Sequence, residues 1–153
     1  MSRKPSHLSI AWWRCSQSRA LAALVRAIVA GARGHHQETL AAAEEAYEVV
    51  VESHAAVPVD ALVYAAEAAF ALGHLDKVDE LISPLAALAP FKRTLSVQTH
   101  EARLQARLAA RRGERDTVEP SYRRAAAYFR ELGTPFWLAG QLSARLTIQA
   151  LRS

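Results

Sequence analysis

The chain has 153 residues, 51% of them hydrophobic, and a formal net charge of +4, which is one domain's length with enough apolar side chain for a continuous core. Its one cysteine, Cys15, excludes an internal disulfide and any cysteine-based zinc cluster. Arg14, Arg19 and Arg26 break up the apolar stretches near the start, and no clean apolar run approaches the roughly 20 residues of a membrane helix, so the expected setting is a reducing cytoplasm with no membrane partner.

The charge is segmented. Residues 1–34 hold six Arg/Lys and no acid, residues 35–90 hold ten acids and only Lys77, and residues 91–153 hold twelve bases and five acids. Block charges of +6, −9 and +7 describe a molecule with unlike faces, suited to steering a charged partner or to self-association. Alanine makes up about a fifth of the chain. It is the best helix former and lets helices approach closely, so the composition favours an all-α fold.

In chain order, residues 1–10 read as a loose polar arm, with Pro5 and no periodicity. A helix is expected from about residue 11 to 32, where Leu21, Leu24, Val25, Ile28 and Val29 recur at helical spacing. A second, from about 37 to 52, carries the stripe Leu40, Ala43, Tyr47, Val50 and Val51, with Glu44, Glu45, Glu48 and Glu52 largely opposite. SHAAVP, 53–58, reads as a linker. A third helix runs from about 60 to 72, and a fourth follows with Asp76 as N-cap, Val78, Leu81 and Ile82 inward, and a kink or early break at Pro84. A fifth is expected over about 95–111 and a sixth over about 117–132, the latter opened by an Asp116/Glu119 capping box with Pro120 near its start. Thr134-Pro135 starts a last helix, about 135–151.

Three glycines, Gly34, Gly73 and Gly113, stand about 40 residues apart, each between an alanine-rich run and a second amphipathic run. Seven residues before each lie Ala27, Ala66 and Ala106, and four before lie Ala30, Ala69 and Ala109. Nine residues after come Ala43, Ile82 and Tyr122, and twelve after come Ala46, Leu85 and Ala125. Small residues at both earlier spacings allow tight helix pairs. The pattern predicts hairpins over about 11–53, 57–90 and 93–132 within one helical domain, 11–152, closed by the final helix.

This pattern resembles the tetratricopeptide-repeat family, the second unit most closely through Leu62, Ala66, Ala69, Gly73, Val78, Ile82 and Pro90. The period is about 40 rather than the family's ~34, and Ala or Leu stands where the family's first helix carries large aromatics. Residues 106–139, ARLAARRGERDTVEPSYRRAAAYFRELGTPFWLA, are similar to the C-terminal helical repeats of large actinobacterial regulators, nucleotide-cyclase-like proteins and LuxR-type ATP-dependent transcription activators. The resemblance implies a right-handed stack of three antiparallel hairpins plus a capping helix. It also implies that the first helix of each pair lines an inner groove. Carried onto this chain, that places Asp60, Val63, Glu67 and Phe70 on the groove wall in the second unit, and His100, Arg103, Arg107 and Arg111 in the third.

The three arginines are spaced i, i+4, i+8 and so share one helix face, a row suited to the carboxylates of an acidic peptide. The family's carboxylate clamp normally uses Lys and Asn, which these positions lack. Trp12-Trp13 and Phe136-Trp137 are expected to cap the ends of the stack or to dock it to a further domain. His35-His36 with Glu38 has no third ligand at metal spacing. No phosphate-binding glycine loop and no nucleophile elbow occurs, so no catalytic residue, metal or cofactor is expected. The function expected is a non-catalytic protein–protein interaction or regulatory scaffold, related to the tail of a larger signalling or transcription regulator. The competing expectation is a nucleic-acid-associated regulator fragment acting through the Arg-rich C-terminal block. Against it stand the missing recognition-helix context and the acidic middle block, which repels phosphate.

Overall fold

A computed structural model describes the backbone of residues 7–52 and 59–133, with side chains from Cys15 onward except Arg115. Every regular element among these residues is helical: α1 (His7–Ala32), α2 (His36–Glu52), α3 (Val59–Leu72), α4 (Leu75–Ala86), a 3₁₀ turn (Pro90–Lys92), α5 (Leu95–Arg112) and α6 (Arg115–Glu131). The helix expected over 135–151, the linker 53–58 and the side chains of Trp12, Trp13, Phe136 and Trp137 lie outside the described residues. Contacts divide the chain into two compact units, Met1–His74 and Leu75–Ser153.

Three helix ends are built alike. Gly34, Gly73 and Gly113 take φ of 76°, 77° and 76°, the left-handed region that a Cβ penalises. In each case the residue after the glycine donates its N–H back to the alanine four positions before it. His35 reaches Ala30 at 2.9 Å, His74 reaches Ala69 at 2.9 Å, and Glu114 reaches Ala109 at 3.0 Å. The glycine N–H donates to the carbonyl three residues earlier, at 3.0–3.3 Å. Together these bonds satisfy carbonyls that a helix end otherwise leaves open, and they fix where the chain leaves the helix. Gly133, at φ 65°, follows the end of α6.

In the first unit α1 packs on α2, α2 on α3, and α3 also touches α1. The contact is made of alanine. Ala23, Ala46 and Ala61, one from each helix, form a single buried cluster flanked by Leu24 and Tyr47. Ala27, Ala30, Ala43, Ala66 and Ala69 are all buried as well. Phe70 is the largest side chain sealed in this unit, at 0% exposure, and burial of that size contributes about 2–3 kcal/mol.

In the second unit α5 is central, with α4 on one side and α6 on the other. Its buried residues, among them Val97, Thr99, Ala102, Leu104 and Ala106, therefore run right round the helix. Ala106 and Ala109 pack against Val118 and Tyr122 of α6, and the His100 ring meets Phe129 edge-on at 6.2 Å and 88°. Val78, Leu81, Ile82 and Leu85 form the buried face of α4.

Several local expectations change. Helix α1 starts at His7, inside the segment read as a loose arm, because nothing between His7 and Gly31 breaks a helix. Pro84 does not end α4, which runs on to Ala86. Asp76 lies inside the first turn of α4 and Asp116 inside that of α6, so neither is the N-cap and the Asp116/Glu119 box is not formed. Both carboxylates still face the positive helix end. Thr94 caps α5, its hydroxyl accepting from the Val97 N–H at 3.3 Å. Cys15 is exposed.

A Cβ built on Gly113 meets nothing within 4 Å, so only the backbone torsion opposes substitution there. Gly113→Ala is expected to lower stability by about 1–2 kcal/mol, and Gly113→Asn by less, read as the shift in urea midpoint at unchanged slope.

Candidate partner-binding surface

The residues assigned to a groove wall from sequence fall into different environments. On α3, Val63 and Phe70 are core residues, Glu67 is half-buried and Asp60 is exposed. On α5, Arg103 is buried at 5% exposure, Arg107 is half-buried and Arg111 is exposed, so the expected open row is graded from interior to surface. His100 is occupied against Phe129. Val63, Phe70 and Arg103 are thus corrected from wall to interior positions. The cause is that α3 and α5 are each packed on more than one side, which turns faces that periodicity leaves open into buried ones.

The arginine row also bears on Tyr122 of α6. Burial pushes this phenol above its ordinary value of 10.0, while the charges of Arg107 and Arg103 pull it the other way. Burial wins, so the folded protein holds the phenolic proton more tightly than the unfolded chain does.

A polar recess opens on a different flank of α5. It is lined by Arg93, Gln98, Glu101, Ala102 and Gln105, with Arg124 and Tyr128 of α6 on the far side. Helical geometry explains the set, since 98, 101, 102 and 105 are spaced i, i+3, i+4, i+7. Much of the recess is internally satisfied. Arg93 donates to Glu101 at 2.5 Å and to the Ala86 carbonyl at 3.0 Å. The other Glu101 oxygen accepts from Gln105 at 3.2 Å, and Gln98 donates to the Arg93 carbonyl at 2.8 Å. Glu101 is nearly buried, and an ionised carboxylate there is tolerable because it is paired on both oxygens. The Arg124 guanidinium and the Tyr128 hydroxyl make no hydrogen bond or ion pair with another described residue. They are the open donors of the recess.

The sequence held a trace of this site. Glu101 is the sole acid between Glu80 and Glu114, in a stretch otherwise rich in arginine. An isolated acid amid bases is a candidate buried partner. Nothing in the sequence, however, brings Arg124 and Tyr128 to it.

At the far end of α5, Arg112 holds Asp79 of α4 through both terminal nitrogens at 3.1 Å and lies 3.6 Å from Asp76. In the first unit Arg26 of α1 pairs with Glu45 of α2. Among the described residues no three His, Cys, Asp or Glu side chains converge as a metal site, and no helix is long and apolar enough to cross a membrane. Comparison of the chain with family models, curated proteins and solved structures returned no significant match.

Tyr122 sets a pH dependence. Its contribution is fully present below pH about 10 and is lost as pH rises through 10 toward the raised folded value. Tyr122→Phe is expected to flatten this alkaline loss relative to the parent chain, measured as urea midpoints across the alkaline range.

Proposed function

We propose that this protein is a non-catalytic, tetratricopeptide-like scaffold that holds an acidic peptide segment of a protein partner, in the manner of the regulatory tail of a larger signalling or transcription regulator, in the cytoplasm. Support for the repeat is that three glycine turns of one geometry close three helices on alanines at matching positions. The observation that carries the binding reading is the recess of the second unit. Its carboxylate and the NH2 groups of its two carboxamides are already engaged, while Arg124 and Tyr128 have no hydrogen-bond or ion-pair partner among the described residues. The group complementary to the Arg124 guanidinium is a carboxylate, which it binds through paired N–H groups.

The site departs from the groove expected along Arg103, Arg107 and Arg111. None of these three lines the recess, where Arg124 takes the position of anchoring cation. Asp60 and Glu67, in the other unit, are no part of it.

The test is anisotropy of a fluorescent Asp/Glu-rich peptide titrated with the full chain, beside a single-stranded oligonucleotide of equal charge. Arg124 is exposed, so its replacement leaves the fold intact to within about 0.5 kcal/mol. Arg124→Glu is expected to weaken peptide binding about tenfold or more, as loss of one charge-assisted bond of ~1.5 kcal/mol requires. Unchanged peptide affinity in this variant rejects the reading. Tighter oligonucleotide binding with a steep salt slope favours the nucleic-acid alternative instead.

A further inference from the structure

Helix α1 is inside out. Its buried face is Ala20, Ala23, Ala27 and Ala30, at 7%, 0%, 0% and 3% exposure, while Leu21, Val25, Ile28 and Val29 stand outward at 62%, 50%, 40% and 41%. Large aliphatics ordinarily take the interior, and a contiguous exposed set of them marks an interaction surface. The alanine face explains the inversion: α2 and α3 approach so closely that only small side chains fit between, and the larger ones are turned to solvent.

The outward set has a regular period. Leu21, Val25, Ile28 and Ala32 follow one another at four, three and four residues, an average of about 3.7, close to the ~3.6-residue turn of a straight helix, so they stay on one face along its length. Val29 lies on the seam's edge. A stripe of this period accepts another helix along several turns.

Charge selects which helix. The chain has no acid before Glu38, and Arg19, Arg26 and Arg33 recur at seven-residue intervals along one shoulder of the stripe. Arg26 is committed to Glu45, whereas Arg19 and Arg33 make no ion pair with another described residue. A second copy presenting the same face brings no acid of its own α1, and the Glu45 beside it is already paired with Arg26. Paired antiparallel, it sets arginine against arginine, and like charges across an interface are costly. Lipid is the poorer match because the described stripe is narrow and aliphatic, without the aromatic anchors of interfacial helices.

We propose that the outward face of α1 is a docking seam for an amphipathic helix of a partner protein, one whose apolar stripe is flanked by acidic residues. The seam belongs to the first unit and is independent of the Arg124 recess.

The experiment uses the full chain and two labelled synthetic helices with identical Leu/Ile stripes, one flanked by Glu and the other by Lys, read by anisotropy. The Glu-flanked helix is expected to bind, and the Lys-flanked one at least about tenfold more weakly. Leu21→Gln combined with Ile28→Gln removes binding without touching the core, because both side chains already face solvent. Arg19→Glu with Arg33→Glu abolishes the preference between the two helices. Arg124→Glu leaves all of this unchanged, which separates the seam from the recess. Equal binding of both helices, or binding of neither, overturns the proposal. So does a dimer in sedimentation velocity that dissociates in the Leu21→Gln/Ile28→Gln variant, which assigns the face to a second copy. Co-sedimentation with phosphatidylcholine/phosphatidylserine vesicles that the same variant loses assigns it to a membrane, with the same consequence.

Discussion

Close helix contact through alanine is the constraint that governs this protein. A side chain of one carbon lets backbones approach to the short end of the usual 8–10 Å range, and it loses no rotamer freedom on burial. At Gly34 and Gly113 the turns make the α1–α2 and α5–α6 contacts possible by ending the first helix of the pair at a set point. The carbonyls of Ala30, Ala69 and Ala109 accept the closing bond, and the same three residues are buried. Ala27, Ala66 and Ala106, one helical turn earlier, are at 0% exposure. For α1 and α5 turn and contact are thus one device, because moving the turn by a residue would rotate the alanine face away from α2 or α6. The aliphatic face of α1 is the other side of the same arrangement.

The segmented charge has a structural use within each unit. In the first, a base from the N-terminal block meets an acid of the middle block, Arg26 with Glu45. In the second, Arg112 from the basic block closes on Asp79 and Asp76 from the acidic one. Exposed pairs of this kind contribute about 0–1 kcal/mol, so they orient helices more than they stabilise them. Glu101 is different, since it is nearly buried and would be costly to leave without Arg93. With these charges committed, Arg19 and Arg33 in one unit and Arg124 in the other make no ion pair among the described residues.

The candidate surfaces were less legible than the helices. Arg103, Arg107 and Arg111 share a face at any helical spacing, and that much followed from their numbers. Their depth did not, because it depends on what packs beside α5, and Arg103 is buried while Arg111 is exposed. The recess joins residues 93–105 to Arg124 and Tyr128, a juxtaposition made by helix packing and unrelated to any local spacing. On α1 the aliphatic period was plain, and its direction was reversed, since hydrophobicity alone points the larger side chains inward. Packing chose the smaller ones.

The sequence by itself determined the all-α class, six helices to within a few residues at most ends, and three equivalent turns. These rest on local physics, namely alanine's helix propensity, glycine's access to positive φ and the bonds it permits to the preceding turn. Only the tertiary structure decided which face of each helix is interior, where Arg103 lies, and which donors remain open. Those outcomes depend on volume and distance between residues far apart in the chain, and an amphipathic pattern made mostly of alanine sets the helix without setting its rotation.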